Sequence, residues 1–374
     1  MTIFVISLLF VTYTYLGYPL LLAAFAKGAK GGARKASAPA PAPTPVCVVI
    51  PAYNEGSVIA AKIRQVLQSA YPADLLRVIV VSDGSTDDTL TEARRVADKR
   101  VEVIDGGVRR GKMATLNFAM SLVREPIVIL TDAGEMLDDH TIARLVARFA
   151  DPRLGAVSGE LALVSLHSAF SRTLGAYWRY ERWIRALEGD CGSVVGATGP
   201  IYALRRALYR PLPPDTILDD LAIPLEIITQ GYRVGYERQA LAFEKATQKS
   251  EHEFARKRRT LAGNCQALVR YRRLLLPGSP IAWQLWSHKV FRLLVPYALV
   301  GVFAGGMLLP GPWTVVVTGG QLVFYGIALA GCVRRPQHTW LSVPYTFCVL
   351  NWAAVAGSYL YLTGRLNVRW EKVK

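Results

Sequence analysis

Residues 46–56, VCVVIPAYNEG, decide the fold of this chain. The apolar run VCVVI is rich in β-branched side chains, which favours a buried strand, and it ends at once in a polar turn. Three more short apolar runs follow, and each run leads into an amphipathic, helix-like stretch. The predicted strands are 46–50, 78–81, 101–104 and 127–130, and the predicted helices are 57–69, 86–99, 113–123 and 139–150. This alternation predicts an α/β domain with a parallel sheet and helices on both faces.

Polar loops follow all four predicted strands. In an open parallel sheet, ligands bind beyond the carboxyl ends of the strands, so these loops would lie at one edge. Turn chemistry alone would supply Gly, Pro, Asn and Asp, and for any single loop that interpretation stays open. Four such loops together favour a binding site. They are PAYNEG (51–56), SDGSTDDT (82–89), DGGVRRGK (105–112) and TDAGE (131–135).

The residue types at this edge suit a nucleotide. Asp83 could accept hydrogen bonds from a base or ribose, or it could be a turn residue. Ala52 and Tyr53 offer a small residue and a ring for base stacking, although Tyr53 could simply pack. Gly111 and Lys112 open a helix, and the positive helix end with cationic side chains favours a diphosphate. A solvated basic loop is the alternative.

The loop TDAGE could hold a divalent cation. Mg²⁺ and Mn²⁺ take oxygen ligands, so Asp132 could bind a cation that bridges the phosphates of a nucleotide-diphosphate donor. Such a cation would stabilise the departing diphosphate as a Lewis acid. One carboxylate is a weak pattern, and the polar end of a strand is the alternative.

A pair of acids, Asp219 and Asp220, stands at the head of an amphipathic stretch that ends at Gly231, a residue suited to a helix C-terminus. A carboxylate there could complement the helix dipole. It could also be the general base that a sugar transfer to a hydroxyl needs, and Asp220 is the candidate.

Composition predicts a membrane protein. The 374 residues are 52% hydrophobic, and the first apolar segment is long enough to cross a bilayer. A secretory signal peptide is the alternative, but the basic start is missing and the apolar stretch is too long. The apolar segments are Ile3–Ala26, Val290–Leu309, Trp313–Val333 and Leu341–Thr363, and the basic residues after the first are Lys27, Lys30, Arg34 and Lys35. Basic flanks favour the cytoplasmic side, which predicts a cytoplasmic central region.

The net charge of +16 has no nucleic-acid-binding motif beside it. Anionic lipid headgroups and a phosphorylated substrate explain it instead. The five cysteines are scattered and odd in number, which predicts reduced thiols rather than zinc ligands or disulfides. The stretch FSRTLGAYWRYERWIRAL (170–187) interleaves aromatics with arginines, as a surface helix or, preferably, a membrane-interface helix would.

Together, these motifs resemble the family 2 glycosyltransferases, membrane-associated inverting enzymes related to hyaluronan, chitin, cellulose and poly-N-acetylglucosamine synthases. The resemblance covers about residues 46–270 and is carried by the order and spacing of the motifs. It implies a GT-A (Rossmann-like) nucleotide-sugar domain with N-terminal and C-terminal transmembrane helices. The matching stretches are 48–55 (VVIPAYNE), 81–87 (VSDGSTD), Gly111–Lys112 with Asn117, 131–133 (TDA), 196–199 (GATG) and Asp219–Asp220.

The resemblance also implies roles for residues. Asp220, rather than Asp219, stands at the family's distance from the helix-ending glycine and would be the base. The implied donor and nucleotide contacts are Ala52, Tyr53, Glu55 and Asp83 at the uridine, Lys112 at the donor, and Asp132 at the metal-bound diphosphate. The acceptor side and interface would involve Trp178, Trp183, Gly196, Thr198, Asp219 and Arg256.

Two positions depart from the family pattern. The second carboxylate of the Asp-x-Asp metal motif is replaced by Gly134, so the second metal contact would fall to Glu135, to water or to another residue. The Gln-x-x-Arg-Trp motif of processive synthases falls on Arg256, Arg259 and Thr260. The missing tryptophan leaves processivity open. Arg259 would still reach the diphosphate, unless the basic run 256–259 instead faces anionic lipid.

These observations predict a transferase that moves a sugar from a UDP-sugar to a growing extracellular polysaccharide or lipid-linked glycan, with Mg²⁺ or Mn²⁺. The predicted parts are an anchor (1–27), an Ala/Pro-rich linker (28–45), a cytoplasmic GT-A domain with interfacial helices (46–275) and a transmembrane or interfacial region (276–374). The predicted location is the cell inner (plasma) membrane, with several spans. Membrane lipids and an export partner are further expected partners, and nucleic acid is not.

Three alternatives stay open. A transferase that adds one sugar to a polyprenyl-phosphate or lipid acceptor differs only in product length. An inactive sugar-binding membrane partner fits the loss of a carboxylate at Gly134. A dinucleotide-dependent oxidoreductase is disfavoured because no G-x-G-x-x-G follows the first strand. Topology is also open, because four spans would place the basic tail (364–374) outside. An interfacial or re-entrant segment within 341–363, interrupted by Pro344 and Asn351, would resolve this.

Overall fold

The structure is a computed structural model that describes residues 1–32 and 44–365. Its strands are β1 (Val46–Ala52), β2 (Leu76–Ser82), β3 (Val101–Asp105), β4 (Ile127–Thr131), β5 (Met136–Leu137), β6 (Leu154–Val164), β7 (Ile201–Arg205) and β8 (Arg233–Lys245). Its helices are α1 (Thr2–Thr12), α2 (Tyr18–Gly32), α3 (Ile59–Leu67), α4 (Thr89–Arg94), α5 (Lys112–Leu122), α6 (Thr141–Ala147), α7 (Ala169–Asp190), α8 (Asp219–Thr229), α9 (Ser250–Arg270), α10 (Ala282–Gln284), α11 (Phe291–Gly306), α12 (Pro312–Val333) and α13 (Thr339–Leu362).

The described residues form two compact units. The sheet unit consists of residues 30–32, 44–164 and 188–245, and the helical unit consists of residues 1–29, 165–187 and 246–365. Because the two units interleave along the chain, the predicted boundary at residue 275 stays a prediction. Most of the predicted linker, the side chains of Lys30, Arg34 and Lys35, and the basic tail beyond Arg365 lie outside the described part of the chain.

The sheet unit is built on one sheet with the strand order β3-β2-β1-β4-β7-β6-β8-β5. The strands β3, β2, β1 and β4 are mutually parallel, as the alternation of apolar runs and helices predicts. The parallel sheet predicted from residues 46–130 is thus confirmed for these four strands, and four further strands, which the sequence analysis did not predict, extend it. There, β7 runs antiparallel to β4 and β6, and β5 runs antiparallel to β8, so the sheet is mixed.

Both faces of β1 are covered, because all seven of its residues are buried although successive side chains point to opposite faces. On one face, Val48 and Ile50 belong to a core cluster with Ile59 and Ile63 of α3. The helix α5 also packs against β1 and β2. This double cover leaves the carboxyl ends of β1, β2 and β4 as the places where polar loops can gather.

The helical unit contains three helical segments that are long and apolar enough to cross a membrane: Thr2–Lys27, Ala282–Gly306 and Pro312–Val333. They overlap three of the four apolar segments found in the sequence. The fourth segment forms α13, which does not meet that criterion. The helix α13 continues through Pro344, and the Asn351 Nδ2 donates a hydrogen bond to Phe347 O at 2.9 Å. An interfacial or re-entrant position of this segment stays a prediction.

Candidate functional site

Asp83 directly follows β2 in a buried position and organises the neighbouring loop. Its side chain accepts hydrogen bonds from the backbone N–H groups of Arg110 at 2.7 Å and Gly111 at 2.9 Å. Its own N–H donates to Ala52 O at 2.8 Å. Asp83 therefore joins the ends of β1 and β2 to the start of α5, and its contact with a nucleotide stays a prediction.

The PAYNEG turn after β1 is fastened to the loop after β2. Asn54 adopts a left-handed backbone conformation with φ of 55°, and its Oδ1 accepts a hydrogen bond from the N–H of Thr86 at 2.9 Å. The N–H of Glu55 donates to Thr89 Oγ1 at 2.8 Å. Two of the predicted ligand loops are thus held as one element.

The Tyr53 ring is partly exposed, and a cation lies over it. The Arg109 guanidinium carbon stands 3.9 Å from the ring centroid, which is a close cation–π contact. The ring face that could stack on a base carries an arginine in this structure. Ala52 is fully buried and provides only the floor beside it.

Lys112, the first residue of α5, links the end of β4 to the start of α8. Its Nζ lies 2.8 Å from Asp132 Oδ1 and 3.0 Å from Asp219 Oδ1. Burial alone would lower the pKa of Lys112, but the carboxylates of Asp132 and Asp219 outweigh it and raise this pKa well above its usual value. The ammonium is therefore a fixed positive charge between the carboxyl end of β4 and the start of α8.

Asp219 and Asp220 are neighbours with different surroundings. Asp219 is buried, with Oδ1 at Lys112 and Oδ2 accepting a hydrogen bond from Tyr202 OH at 3.0 Å. These two contacts fix the Asp219 side chain in place, and its predicted contact with the acceptor stays a prediction. Asp220 is only half-buried.

The GATG turn before β7 holds Asp220. The N–H of Ala197 donates to Asp220 O at 2.7 Å. Gly199 lies so close that a Cβ there would stand 3.1 Å from Asp220 Oδ2. Thr198 is buried against Ser158, whose Oγ accepts a hydrogen bond from the N–H of Thr198 at 2.9 Å. Gly196 and Thr198, predicted for the acceptor side, thus belong to the turn that positions Asp220.

The turn after β4 presents the predicted metal ligands. The Asp132 side chain is about one-third exposed, and Glu135 Oε2 is a buried oxygen with no hydrogen-bond partner among the described residues. Within residues 1–32 and 44–365, no group of three or more His, Cys, Asp or Glu side chains could hold a metal ion alone. Two carboxylates fit a Mg²⁺ or Mn²⁺ ion that takes its remaining oxygens from a diphosphate and water.

Beneath this turn lies Lys62, which the sequence analysis did not single out. It is fully buried, and its Nζ donates to Thr131 Oγ1 at 2.9 Å and to Glu135 O at 2.5 Å. Burial raises the pKa of the Glu135 carboxyl and lowers the pKa of the Lys62 ammonium. The available signal is positional: Lys62 stands on the core-facing stripe of α3 with Ile59, Ile63 and Val66, where an apolar residue is expected.

The remaining predicted residues belong to the helical unit. The Trp178 ring of α7 lies under two cations of α9, with Lys257 Nζ at 4.7 Å and the Arg256 guanidinium at 5.9 Å from its centroid. Arg256 also pairs with the buried Glu253 at 2.7 Å. Trp183 is 42% exposed, and its place at a membrane interface stays a prediction. Arg259 lies on α9 among these residues.

Comparison with known proteins finds a family match in the sheet unit. Residues 47–211, which include β1, the ligand loops and the GATG turn, match the family model of glycosyl transferase family 2. This part of the chain is therefore similar to family 2 glycosyltransferases. The resemblance inferred from its motifs is therefore confirmed.

Curated relatives of the family 2 domain have different products in their names. A β-monoglucosyldiacylglycerol synthase of Synechocystis sp. is 26% identical over 68% of this chain and 56% of its own length. A poly-β-1,6-N-acetyl-D-glucosamine synthase of Staphylococcus aureus is 23% identical over 53% of this chain and 49% of its own. The chain thus spans about half the length of these relatives.

A solved structure shares the fold. The mannosyltransferase PcManGT from Pyrobaculum calidifontis, solved in complex with GDP-Man and Mn²⁺, is 24% identical with a TM-score of 0.75. The match covers 97% of this chain and all of that one. At this identity the likeness shows the fold alone, an α/β fold of the GT-A glycosyltransferase type with a mixed sheet.

Proposed function

We propose that this protein is a membrane-bound inverting glycosyltransferase that moves a sugar from a UDP-sugar to a growing glycan or a lipid-linked acceptor. The observation that carries the proposal is the arrangement at one sheet edge, where Lys112 contacts Asp132 and Asp219, and Asp220 follows directly. This arrangement provides a cation for a diphosphate and a carboxylate for an acceptor hydroxyl. The family 2 match supports it.

The donor diphosphate would bind where Lys112 stands. A phosphate oxygen would accept a charge-assisted hydrogen bond from Lys112 Nζ, which in this structure is shared between two carboxylates. Asp132 and Glu135 would hold a Mg²⁺ or Mn²⁺ ion. When bound, that ion would supply Lewis-acid stabilisation of the charge on the leaving diphosphate. Asp83 would act on the uridine side by holding the loop before Lys112, and Tyr53 and Glu55 would line that side.

Asp220 would be the general base. Its backbone carbonyl is fixed by Ala197, and its carboxylate stands beside Gly199, where the lack of a side chain leaves space for an acceptor. The carboxylate would accept the proton of the acceptor hydroxyl while the hydroxyl oxygen forms a bond to the anomeric carbon. The bond from that carbon to the UDP oxygen breaks on the opposite face, which inverts the configuration. Asp219 would stay paired with Lys112 and Tyr202.

A second candidate function uses the same chemistry but transfers a single sugar to a lipid acceptor, and two features favour it. Thr260 stands where processive relatives carry an acceptor-stacking tryptophan. One relative is named for a glucosyl-diacylglycerol product. Trp178, Trp183 and Arg256 of the helical unit would then serve the acceptor and the interface, whereas Arg259 stays a predicted donor contact.

The membrane arrangement is also a proposal. Three helical segments of suitable length and hydropathy support a multi-pass protein of the cell inner membrane. The basic residue Lys27 at the end of the first segment favours a cytoplasmic sheet unit. A partner protein would be required for export if the product is a long polymer.

The test is nucleotide release by the detergent-purified chain. A panel of UDP-sugars and GDP-sugars is offered with Mn²⁺, Mg²⁺ or EDTA, and radiolabelled products are sized. We expect metal-dependent release of UDP from one donor and none in the Asp220→Asn variant. A ladder of long products would identify a polymerase, and one lipid-extractable product a single-sugar transferase. Release of GDP alone would contradict the assignment of UDP as the donor nucleotide. If no nucleotide is released with any donor, even with added lipid, the proposed glycosyltransferase activity is wrong.

A further inference from the structure

Lys62 connects two turns through one chain of hydrogen bonds. One is the turn at residues 131–135, here called the metal-side turn, and the other is the GATG turn at residues 196–199. Its Nζ donates to Thr131 Oγ1 at 2.9 Å, and the Thr131 hydroxyl donates in turn to Pro200 O at 2.8 Å. Pro200 closes the GATG turn that holds Asp220. Two consecutive hydrogen bonds thus join α3 to the end of β4 and to the residue before β7.

The second arm of Lys62 fixes the metal-side turn directly. Its Nζ donates to the backbone carbonyl of Glu135 at 2.5 Å, so the ammonium is bonded at both ends of the 131–135 turn. The carboxylates of Glu135 and Asp132 also interact electrostatically with this ammonium. The turn that presents the two predicted metal ligands is therefore built around a buried cation.

Simple packing does not account for a charge at this position. Lys62 is fully buried on the apolar stripe of α3, between Ile59 and Ile63. An ammonium removed from water is costly unless hydrogen bonds and opposite charges compensate it, and a hydrophobic residue would fill the same space at lower cost. An apolar side chain has no donor and could not hold Thr131 and Glu135 together.

We propose that Lys62 is a positioning residue that sets the Asp132–Glu135 turn and the GATG turn, which contacts Asp220, in one fixed arrangement. It touches neither donor nor acceptor. It acts through Thr131 on Pro200 and through the Glu135 carbonyl on the metal-side turn. Its catalytic consequence rests on the proposed function, whereas the coupling between the two turns does not.

Amide hydrogen exchange of the full-length chain in detergent tests this coupling without any ligand. In Lys62→Met, exchange should become about tenfold faster in peptides covering both 131–137 and 194–201, as expected for the loss of one buried hydrogen bond. Arg64→Met is the matched control, because Arg64 is an exposed cation on the same helix, and it should leave both segments unchanged. Unchanged exchange at 194–201 in Lys62→Met would overturn the coupling.

Thr131→Val is the second variant and remains decisive if Lys62→Met fails to fold. Valine keeps the shape of threonine but removes the hydroxyl that accepts from Lys62 and donates to Pro200. We expect faster exchange at 194–201, and no additional acceleration in the double variant. If the increases in exchange rate from the two substitutions multiply in the double variant, Lys62 and Thr131 do not act through one chain of contacts.

Mn²⁺ binding in the presence of UDP, followed by the electron paramagnetic resonance of free Mn²⁺, provides a second readout. Loss of a residue that orients metal ligands typically weakens metal binding by about 10- to 100-fold, and we expect this range for Lys62→Met. Turnover should fall mainly through kcat, with a smaller change in KM for the donor. If the wild type shows no UDP release while both turns loosen as described, the proposed function fails and the positioning role stands.

Discussion

The sheet unit and the helical unit both bury charged groups, but they balance them differently. In the helical unit, the buried Glu181 is paired with His288 and Arg292, and the buried Glu253 is paired with Arg256 and Lys257. Each buried acid there has two basic partners. In such an arrangement the negative charge of each acid is compensated by cations of the same unit.

At the sheet edge, carboxylates share their cations. Asp132 interacts electrostatically with both the Lys62 and the Lys112 ammonium groups, Glu135 interacts with Lys62, and Asp219 and Asp220 interact with Lys112. Asp132 is also partly exposed, so a cation from solution could reach it. The difference between the units indicates which buried charges stabilise the fold and which remain available for chemistry.

The largest expected effect is the loss of turnover in Asp220→Asn, which should distinguish Asp220 from the neighbouring Asp219. Asp220→Asn keeps the shape of the side chain and removes the base, so turnover should fall by about 10²- to 10⁴-fold, while donor KM changes little. Stopped assays of UDP release measure both constants. Because Asp219 is bonded to Lys112 and Tyr202, Asp219→Asn should instead disturb donor KM and thermal stability. Equal kinetic losses in the two variants, with equal stabilities, would contradict the assignment.

Removing the charge of Glu181, the buried acid that His288 and Arg292 share, should lower the stability of the protein. Glu181→Gln leaves Arg292 and His288 buried without their carboxylate, a change that typically costs about 3–5 kcal/mol in the free energy of unfolding. Chemical unfolding in detergent measures this loss. Glu251→Gln is the matched control, because it makes the same change in an exposed pair. A Glu181→Gln protein as stable as the control would show that the buried set is not structural.

The same set has a defined pH dependence. Burial alone would raise the pKa of Glu181, but Arg292 and His288 outweigh it and hold this pKa well below its usual value. A depressed folded-state pKa means that the contribution is fully present above the unfolded-state value of about 4.3 and is lost as pH falls through the folded-state value. Stability differences between wild type and Glu181→Gln should therefore stay constant from neutral pH down to about 4.3.

The features that could be predicted from the sequence depend on local patterns, and those that could not depend on contacts between segments far apart in the chain. The strands β1 to β4 and their loops were predictable because apolar runs and turn residues are local patterns. The antiparallel β7 was not, because its pairing with β4 joins segments far apart in the chain. Asp132 and Asp220 could be selected from the sequence, but the bridge that Lys112 forms between Asp132 and Asp219 exists only in the folded chain. Lys62 showed only as one polar residue on an apolar stripe.

A smaller effect is expected from completing the Asp-x-Asp pattern at Gly134. A Cβ at this position would meet no atom within 4 Å, so an aspartate fits without strain. Gly134→Asp should tighten Mn²⁺ binding in the presence of UDP by up to about tenfold, because a second carboxylate joins Asp132. Gly134→Asn is the matched control, with the same shape and no charge. Equal Mn²⁺ affinities in the two variants would show that the metal does not approach this side of Asp132.

The smallest effect should come from an ion pair that is neither buried nor part of a site. Arg335 and Glu251 lie 3.0 Å apart, with 64% of each side chain exposed. Water screens such a pair, so Glu251→Gln should change the free energy of unfolding by less than about 1 kcal/mol. The residual effect should vanish at about 1 M salt, where the screening length falls to about 3 Å. The loss in Glu181→Gln should persist in that salt, because burial rather than opposite charge alone makes its cations costly to leave unpaired.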